Sequence, residues 1–195
     1  MDVLLETDRL ILRRFTMDDI DALAELDSDP AVMQYVSGGN ATDRDEIETD
    51  YLPHFLSYYA RYERFGFWAA IERATGDFLG WFHFRPHSEE APNEPELGYR
   101  LRQAAWGNGY GTEGSLALIE MGFERLDIER VTATAFADNQ ASRRIMEKVG
   151  MRLVRSYKMM PDELFAELGV TDPTLFEGGA VEYAITRSEW ESRRR

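Results

Sequence analysis

Three glycines in alternation, Gly107, Gly109 and Gly111, stand in the segment Trp106-Gly107-Asn108-Gly109-Tyr110-Gly111, just before an apolar-periodic helix predicted over residues 112–126. Glycine lets a backbone turn sharply and come close to a ligand. A helix N-terminus presents unpaired N–H groups and a partial positive charge. Together these features make a cradle for a phosphate or pyrophosphate. The plainer reading of the same glycines is a flexible turn that binds nothing. A P-loop is excluded, because no Lys-Ser/Thr pair follows. Gly109-Tyr110-Gly111-Thr112-Glu113-Gly114 matches the dinucleotide fingerprint GxGxxG, and Asp138 lies near the end of the next predicted strand, where a ribose-binding acid is wanted. That match is the case for an NAD-binding oxidoreductase.

Other chemistries are narrowed by what the chain lacks. It has no cysteine, so a thiol nucleophile, disulfides and cysteine-ligated metals are excluded. No Gly-x-Ser-x-Gly elbow is present. His54, His83 and His87 show no metal-ligand spacing and read as structural or exposed, so no metal is expected.

The elements that must position the glycines alternate in texture. A short strand around Leu10-Ile11-Leu12 precedes a helix from Asp18 to Leu26, with Thr16 as its N-cap. Residues 37–40, Ser-Gly-Gly-Asn, read as a loop, and a second helical stretch from Asp43 to Tyr62 is interrupted near Pro53. Residues 66–71 and 78–84 are strands joined by the turn Ala74-Thr75-Gly76-Asp77, a connection short enough to make them antiparallel. A further strand runs from Glu96 to Arg102, and another covers 131–136. A helix from Asn139 to Val149 ends at Gly150. Residues 151–160 extend, 161–179 form a loop or short helix, and 181–185 make a last strand. No repeat or linker appears, so residues 1–195 read as a single mixed α+β domain. Antiparallel strands ahead of the glycines, and too little chain after them for a second βαβ half, weigh against the dinucleotide fold.

In this order of elements the chain resembles the GNAT N-acetyltransferases, in particular their ribosomal-protein-acetyltransferase-like branch. Residues 106–113 resemble the family's acetyl-CoA pyrophosphate loop, with Trp106 where Gln or Arg is usual. Thr7-Asp8-Arg9-Leu10-Ile11-Leu12-Arg13 resembles the opening strand of the branch, Glu96-Leu97-Gly98-Tyr99 its fourth strand, residues 138–151 its second cofactor motif, and Tyr183-Ala184-Ile185 before Glu189-Trp190 its closing strand. The resemblance implies a mixed, mostly antiparallel sheet, splayed between its fourth and fifth strands and flanked by helices. It implies direct transfer of an acetyl group from acetyl-CoA to a primary amine, with no protein nucleophile.

Residue roles carried by the resemblance are these. Trp106, Gly107, Asn108, Gly109, Gly111 and Thr112 would hold the pyrophosphate, and the backbone at Leu101 would pair with the pantetheine arm. Asn139 would bond that arm or cap its helix, and Arg143 would meet phosphates. Glu96, where the splay begins among apolar and aromatic residues, is the candidate base, with a raised pKa expected there. A solvent-facing glutamate or a water relay is the alternative. The position where many relatives carry an acidic tyrosine is Met146, which cannot donate a proton. Ser142 is then the candidate group at the CoA sulfur, or a local cap. Loss of that tyrosine keeps a non-catalytic CoA-binding module in view. Trp68, Trp81 and Tyr99 are candidate acceptor contacts, or cross-strand core pairs.

Composition bears on partners. With 22 Lys+Arg against 36 Asp+Glu, the net charge of −14 repels nucleic acids and anionic membranes and attracts cationic molecules. A protein N-terminus or a small cationic amine suits it, though the same charge also serves solubility. No apolar run reaches the roughly 20 residues of a membrane span. Residues 1–6 lack the pattern of a secretory signal, so the expected compartment is the cytoplasm. Homodimers are common in the family that the sequence resembles.

Overall fold

The computed structural model describes residues 2–86, 91, 93–157 and 179–194. The expected loop or helix at 161–179 lies almost wholly outside them. An eight-stranded sheet in the order β1-β2-β3-β4-β5-β6-β8-β7 organises the chain. Its strands are β1 Val3–Glu6, β2 Leu10–Arg13, β3 Gly66–Glu72, β4 Phe78–Pro86, β5 Pro95–Leu101, β6 Arg130–Phe136, β7 Arg152–Tyr157 and β8 Ala180–Thr186. All neighbouring pairs are antiparallel except β5 and β6. The sheet is therefore mixed and mostly antiparallel, as expected. Val3–Glu6 adds an edge strand that the sequence reading lacked, so the expected fourth strand is β5.

Two helical layers cover the sheet. On one face α1 Ile20–Asp27, α2 Pro30–Ser37, α3 Arg44–Glu46 and α4 Leu52–Arg61 pack over Phe67, Ala69, Ile71 and Trp81. On the other, α5 Tyr110–Arg125 and α6 Gln140–Lys148 cover Leu10, Leu12, Trp68, Phe82, Phe84, Leu97 and Val131. A last helix, α7 Arg187–Arg193, follows β8. Strand β3 is buried at six consecutive residues because it lies between both layers.

Three local outcomes refine the expectations. The helix predicted from Asp18 opens with a 3-10 turn, Met17–Asp19, in which the Asp19 carboxylate accepts from Thr16 N–H at 2.8 Å. The helical stretch 43–62 is not broken at Pro53. A π turn over Ile47–Tyr51 joins α3 to α4, and the proline falls in the first turn of α4, where its missing N–H costs little. Helix α2 was not foreseen, although Asp29-Pro30 is a strong start signal. The Asp29 carboxylate accepts from Ala31 N–H at 2.9 Å, Pro30 opens the helix, and Gly38 ends it at φ 73°.

Helix α5 lies so close to the sheet that a Cβ on Gly114 would stand 2.4 Å from Phe82 Cζ. Helix propensity alone favours Gly→Ala by about 1 kcal/mol. Overpacking opposes it by roughly 1–3 kcal/mol. Gly114→Ala is therefore expected to lower the denaturant midpoint without changing the slope. A higher midpoint would contradict the close packing.

Candidate active site

Strand β5 pairs with β4 along its whole length, from Pro95 opposite Pro86 to Leu101 opposite Gly80. With β6 it shares one ladder pair, Glu96 with Thr132. Beyond Glu96 the two strands part, so the edge of β5 from Leu97 to Leu101 faces a cleft rather than a ladder. Two tyrosines span this cleft. The Tyr99 hydroxyl donates to the Ser142 carbonyl in the first turn of α6 at 3.1 Å, and the Tyr35 hydroxyl on α2 donates to the Asp138 carbonyl at 3.3 Å. Burial pushes the Tyr99 phenol well above the ordinary tyrosine range, so it stays protonated. Asn139 caps α6 by accepting from Ser142 N–H at 3.0 Å.

The glycine segment lies just past the end of β5. After a 3-10 turn, Gln103–Ala105, the Trp106 indole N–H donates to the Leu101 carbonyl at 2.8 Å, pinning the loop to the end of the strand. Trp106 thus carries a structural bond at the position where the family usually has a cation or amide. Gly107 and Gly109 have φ 75° and 86°, a region that glycine enters without strain. Among the described residues beyond its chain neighbours, no atom stands within 4 Å of a Cβ position on Gly107, which leaves that side of the loop open. Helix α5 starts at Tyr110, and Glu113 N–H bonds the Gly109 carbonyl at 3.0 Å. The N–H groups of Tyr110, Gly111 and Thr112 precede that bond, at the positive end of the helix.

A latch from β2 and its approach holds this cradle. The Arg9 guanidinium donates to the Asn108 carbonyl at 2.9 Å and to the Glu113 carboxylate at 2.7 Å, and lies 4.6 Å from the Tyr110 ring centre. The Thr7 hydroxyl donates to Glu113 at 2.6 Å, and the Tyr110 hydroxyl to the Glu72 carboxylate. No periodicity predicts a contact across about a hundred residues.

The expected residues fall into two groups. Leu101, Trp106, Gly107, Asn108, Gly109, Gly111, Thr112, Tyr99, Asn139 and Ser142 gather along the cleft and its mouth. Gly111 also receives Ile145 of α6, whose Cδ1 would stand 2.7 Å from a Cβ there. Arg143 instead bonds the Tyr183 hydroxyl at 3.3 Å and the Ala137 carbonyl at 3.0 Å, bracing the turn into α6. Met146 is 3% exposed in the core. The three expected aromatics are not brought together: Trp68 and Tyr99 lie on the α5 face of the sheet and Trp81 on the other. Trp68 is 1% exposed there, against Tyr59.

On the α4 face, Glu96 stands at the fork itself. The carboxylate expected beside apolar and aromatic residues has a cation next to it as well, with Arg85 3.1 Å from its Oε2. His83 Nε2 is 3.7 Å from the same oxygen. His83 went unrecognised because a lone histidine in a strand carries no signal. Burial, then Arg85 and Arg100, hold this imidazole well below its usual pKa, so it is neutral near pH 7. Arg100, beside Trp81 at 5.1 Å, is paired with buried Asp27.

A parted parallel junction ending in an open N–H cradle suits a long anionic ligand with its reactive end near Glu96. The family model of the acetyltransferase (GNAT) domain matches residues 9–152. The chain belongs to the GNAT acetyltransferases. It is 31% identical over 184 residues to the FsC-acetyl coenzyme A-N(2)-transacetylase of Aspergillus fumigatus, covering 91% of this chain and 71% of that protein. It is 30% identical to the N-acetyltransferase YoaA of Bacillus subtilis, over 76% of this chain and 82% of that one. A GNAT acetyltransferase from Bacillus anthracis superposes with a TM-score of 0.72 at 22% identity, covering 96% and 99% of the two chains. RimL, a ribosomal-protein α-N-acetyltransferase solved with coenzyme A, gives 0.75 at 18% identity, covering 95% and 98%. The protein is thus an acyltransferase of a family that uses acetyl-CoA. The dinucleotide and non-catalytic readings find no support. Gly111 and Gly114 serve packing, and the strands before the cradle are antiparallel.

Because the folded pKa of His83 is depressed, the unfolded chain binds that proton first as pH falls. Stability from this group is full above about pH 6.5 and is lost below it, by up to about 1.4 kcal/mol per pH unit until the folded pKa is reached. His83→Phe is expected to flatten the decline between pH 6.5 and 5 in denaturant melts. An unchanged slope would contradict a neutral buried imidazole.

Proposed function

We propose that acetyl-CoA lies in the cleft between β5 and β6, with its pyrophosphate on Gly107–Thr112, and that a cationic primary amine reaches Glu96 from the α4 face. The observation that carries this reading is the fork. One pair, Glu96 with Thr132, closes the sheet, and the open edge beyond it leads straight to the glycine cradle.

The residues divide the work. Backbone N–H groups of Gly107, Gly109, Gly111 and Thr112 bind phosphate oxygens, with Asn108 and Trp106 shaping the loop. The backbone of Tyr99 to Leu101 offers a strand edge for the amides of the pantetheine arm. Asn139 and Ser142, held across the cleft through Tyr99, meet its far side, with the Ser142 hydroxyl near the sulfur. Bound acetyl-CoA supplies the activated acyl group, so no protein nucleophile is needed. Glu96 takes the proton of the attacking amine, and Trp81 lines the approach, whereas Tyr99, on the α6 side of β5, borders the channel for the pantetheine arm. Trp68, buried on the wrong face for such a contact, is not included.

The amine is cationic in water, and the net charge of −14 favours its approach. A protein N-terminus and a small cationic amine both fit that charge. The chain acts as one domain in the cytoplasm.

Acetyl-CoA turnover is to be measured against alaninamide, lysine methyl ester and spermidine. Gly109→Val is expected to weaken acetyl-CoA binding at least about tenfold by calorimetry, since a side chain strains the turn and crowds the cradle. Glu96→Gln is expected to lower kcat/KM about a hundredfold while leaving acetyl-CoA affinity unchanged. NAD binding with no response to acetyl-CoA would overturn the reading.

A further inference from the structure

The His83 ring lies directly on Gly98. A Cβ at residue 98 would stand 2.5 Å from both Cε1 and Nε2, so only glycine leaves room for the imidazole. The ring edges meet Phe67 at 5.5 Å and Trp81 at 6.0 Å between centres. Packing alone accounts for that much. It does not account for Nε2, which is buried with no hydrogen-bond partner among the described residues, 3.7 Å from the Glu96 Oε2.

A carboxylate is acceptor-only, and a neutral imidazole nitrogen is either a donor or an acceptor. If Nε2 carried the proton, a donor would face a carboxylate, and such pairs close to below 3 Å. A separation of 3.7 Å suits two lone pairs facing each other, with the imidazole proton on Nδ1. That arrangement lacks one proton between the two atoms. The reaction delivers one.

We propose that His83 is a positioning residue that raises the proton affinity of Glu96, its Nε2 lone pair accepting a hydrogen bond from the Glu96 carboxyl once that group has taken the amine proton. The inference rests on reading Glu96 as the base. In the step, an amine N–H bond breaks and leaves its electron pair on nitrogen, and an O–H bond forms at Oε2. The new O–H turns to Nε2. Hydrogen bonding to the neutral form of a carboxyl raises its pKa. Here it offsets Arg85, whose guanidinium favours the carboxylate. Among the described residues, other charged or titratable groups around the pair are Arg100 on β5, His54 on α4, and, beyond Thr132, Arg130 on β6 with its partners Glu94 and Glu182.

The test is the titration of the Glu96 carboxyl, followed by carbon-13 NMR of protein labelled at the glutamate side-chain carboxyls and assigned with Glu96→Gln. His83→Phe fills the space but removes the lone pair. It is expected to lower the midpoint by about one pH unit, with His83→Asn, which keeps an acceptor oxygen, in between. A midpoint unmoved or raised in His83→Phe overturns the proposal. Should that variant not fold, nitrogen-15 spectra of the wild-type imidazole decide. A proton on Nδ1 at pH 7 is expected, and one on Nε2 overturns it. If the midpoint falls as expected yet Glu96→Gln acetylates alaninamide at the wild-type rate, His83 tunes Glu96 but Glu96 is not the base.

Discussion

Two neighbouring central strands that stop pairing set the terms for this molecule. Backbone N–H and C=O groups in a sheet interior need partners, and an unpaired one costs about as much as a lost hydrogen bond. Beyond Glu96, β5 gives up its ladder with β6 while keeping every pair with β4. Such an edge is tolerated where a ligand with its own amides completes it. In the proposed reading the far end of such a ligand is held by the glycine loop, which sits where β5 runs out.

Much of the surrounding structure keeps the fork open and in register. The indole of Trp106 ties the loop to the last carbonyl of β5, and Arg9 ties it to β2 and to the first turn of α5. Tyr99 and Tyr35 reach across to α6 and the turn before it, fixing the opposite wall. On the α4 face, Arg85, His83 and Glu96 are packed together at the point of divergence. On the proposed reading, cofactor grip and proton handling are built on the two sides of one strand, by the alternation of its side chains.

The sequence disclosed the fork's flanks better than its interior. Residues 107–111 announce a cradle because glycine alternation before a periodic helix has few other uses, and α5 and α6 fall within two residues of their expected bounds. Helix α2 was passed over although Asp29-Pro30 marks its start, and β1 was missed because a four-residue edge strand carries almost no pattern. What local sequence cannot show is pairing between distant segments. The Arg9 latch, the His83–Glu96 contact and the burial of Trp68 on the opposite face from Trp81 all depend on which strands become neighbours. Alternation alone places Trp68 and Trp81 on strands. It does not say that the register of β3 against β4 turns them to opposite layers.

The most direct test of the cleft is to follow backbone amide shifts in nitrogen-15 spectra while coenzyme A is added. Saturable shifts are predicted at Gly107, Gly109, Gly111 and Thr112, together with Tyr99 to Leu101 on the open edge of β5. Saturation with the largest shifts elsewhere, leaving the glycine loop and β5 unmoved, would contradict the account.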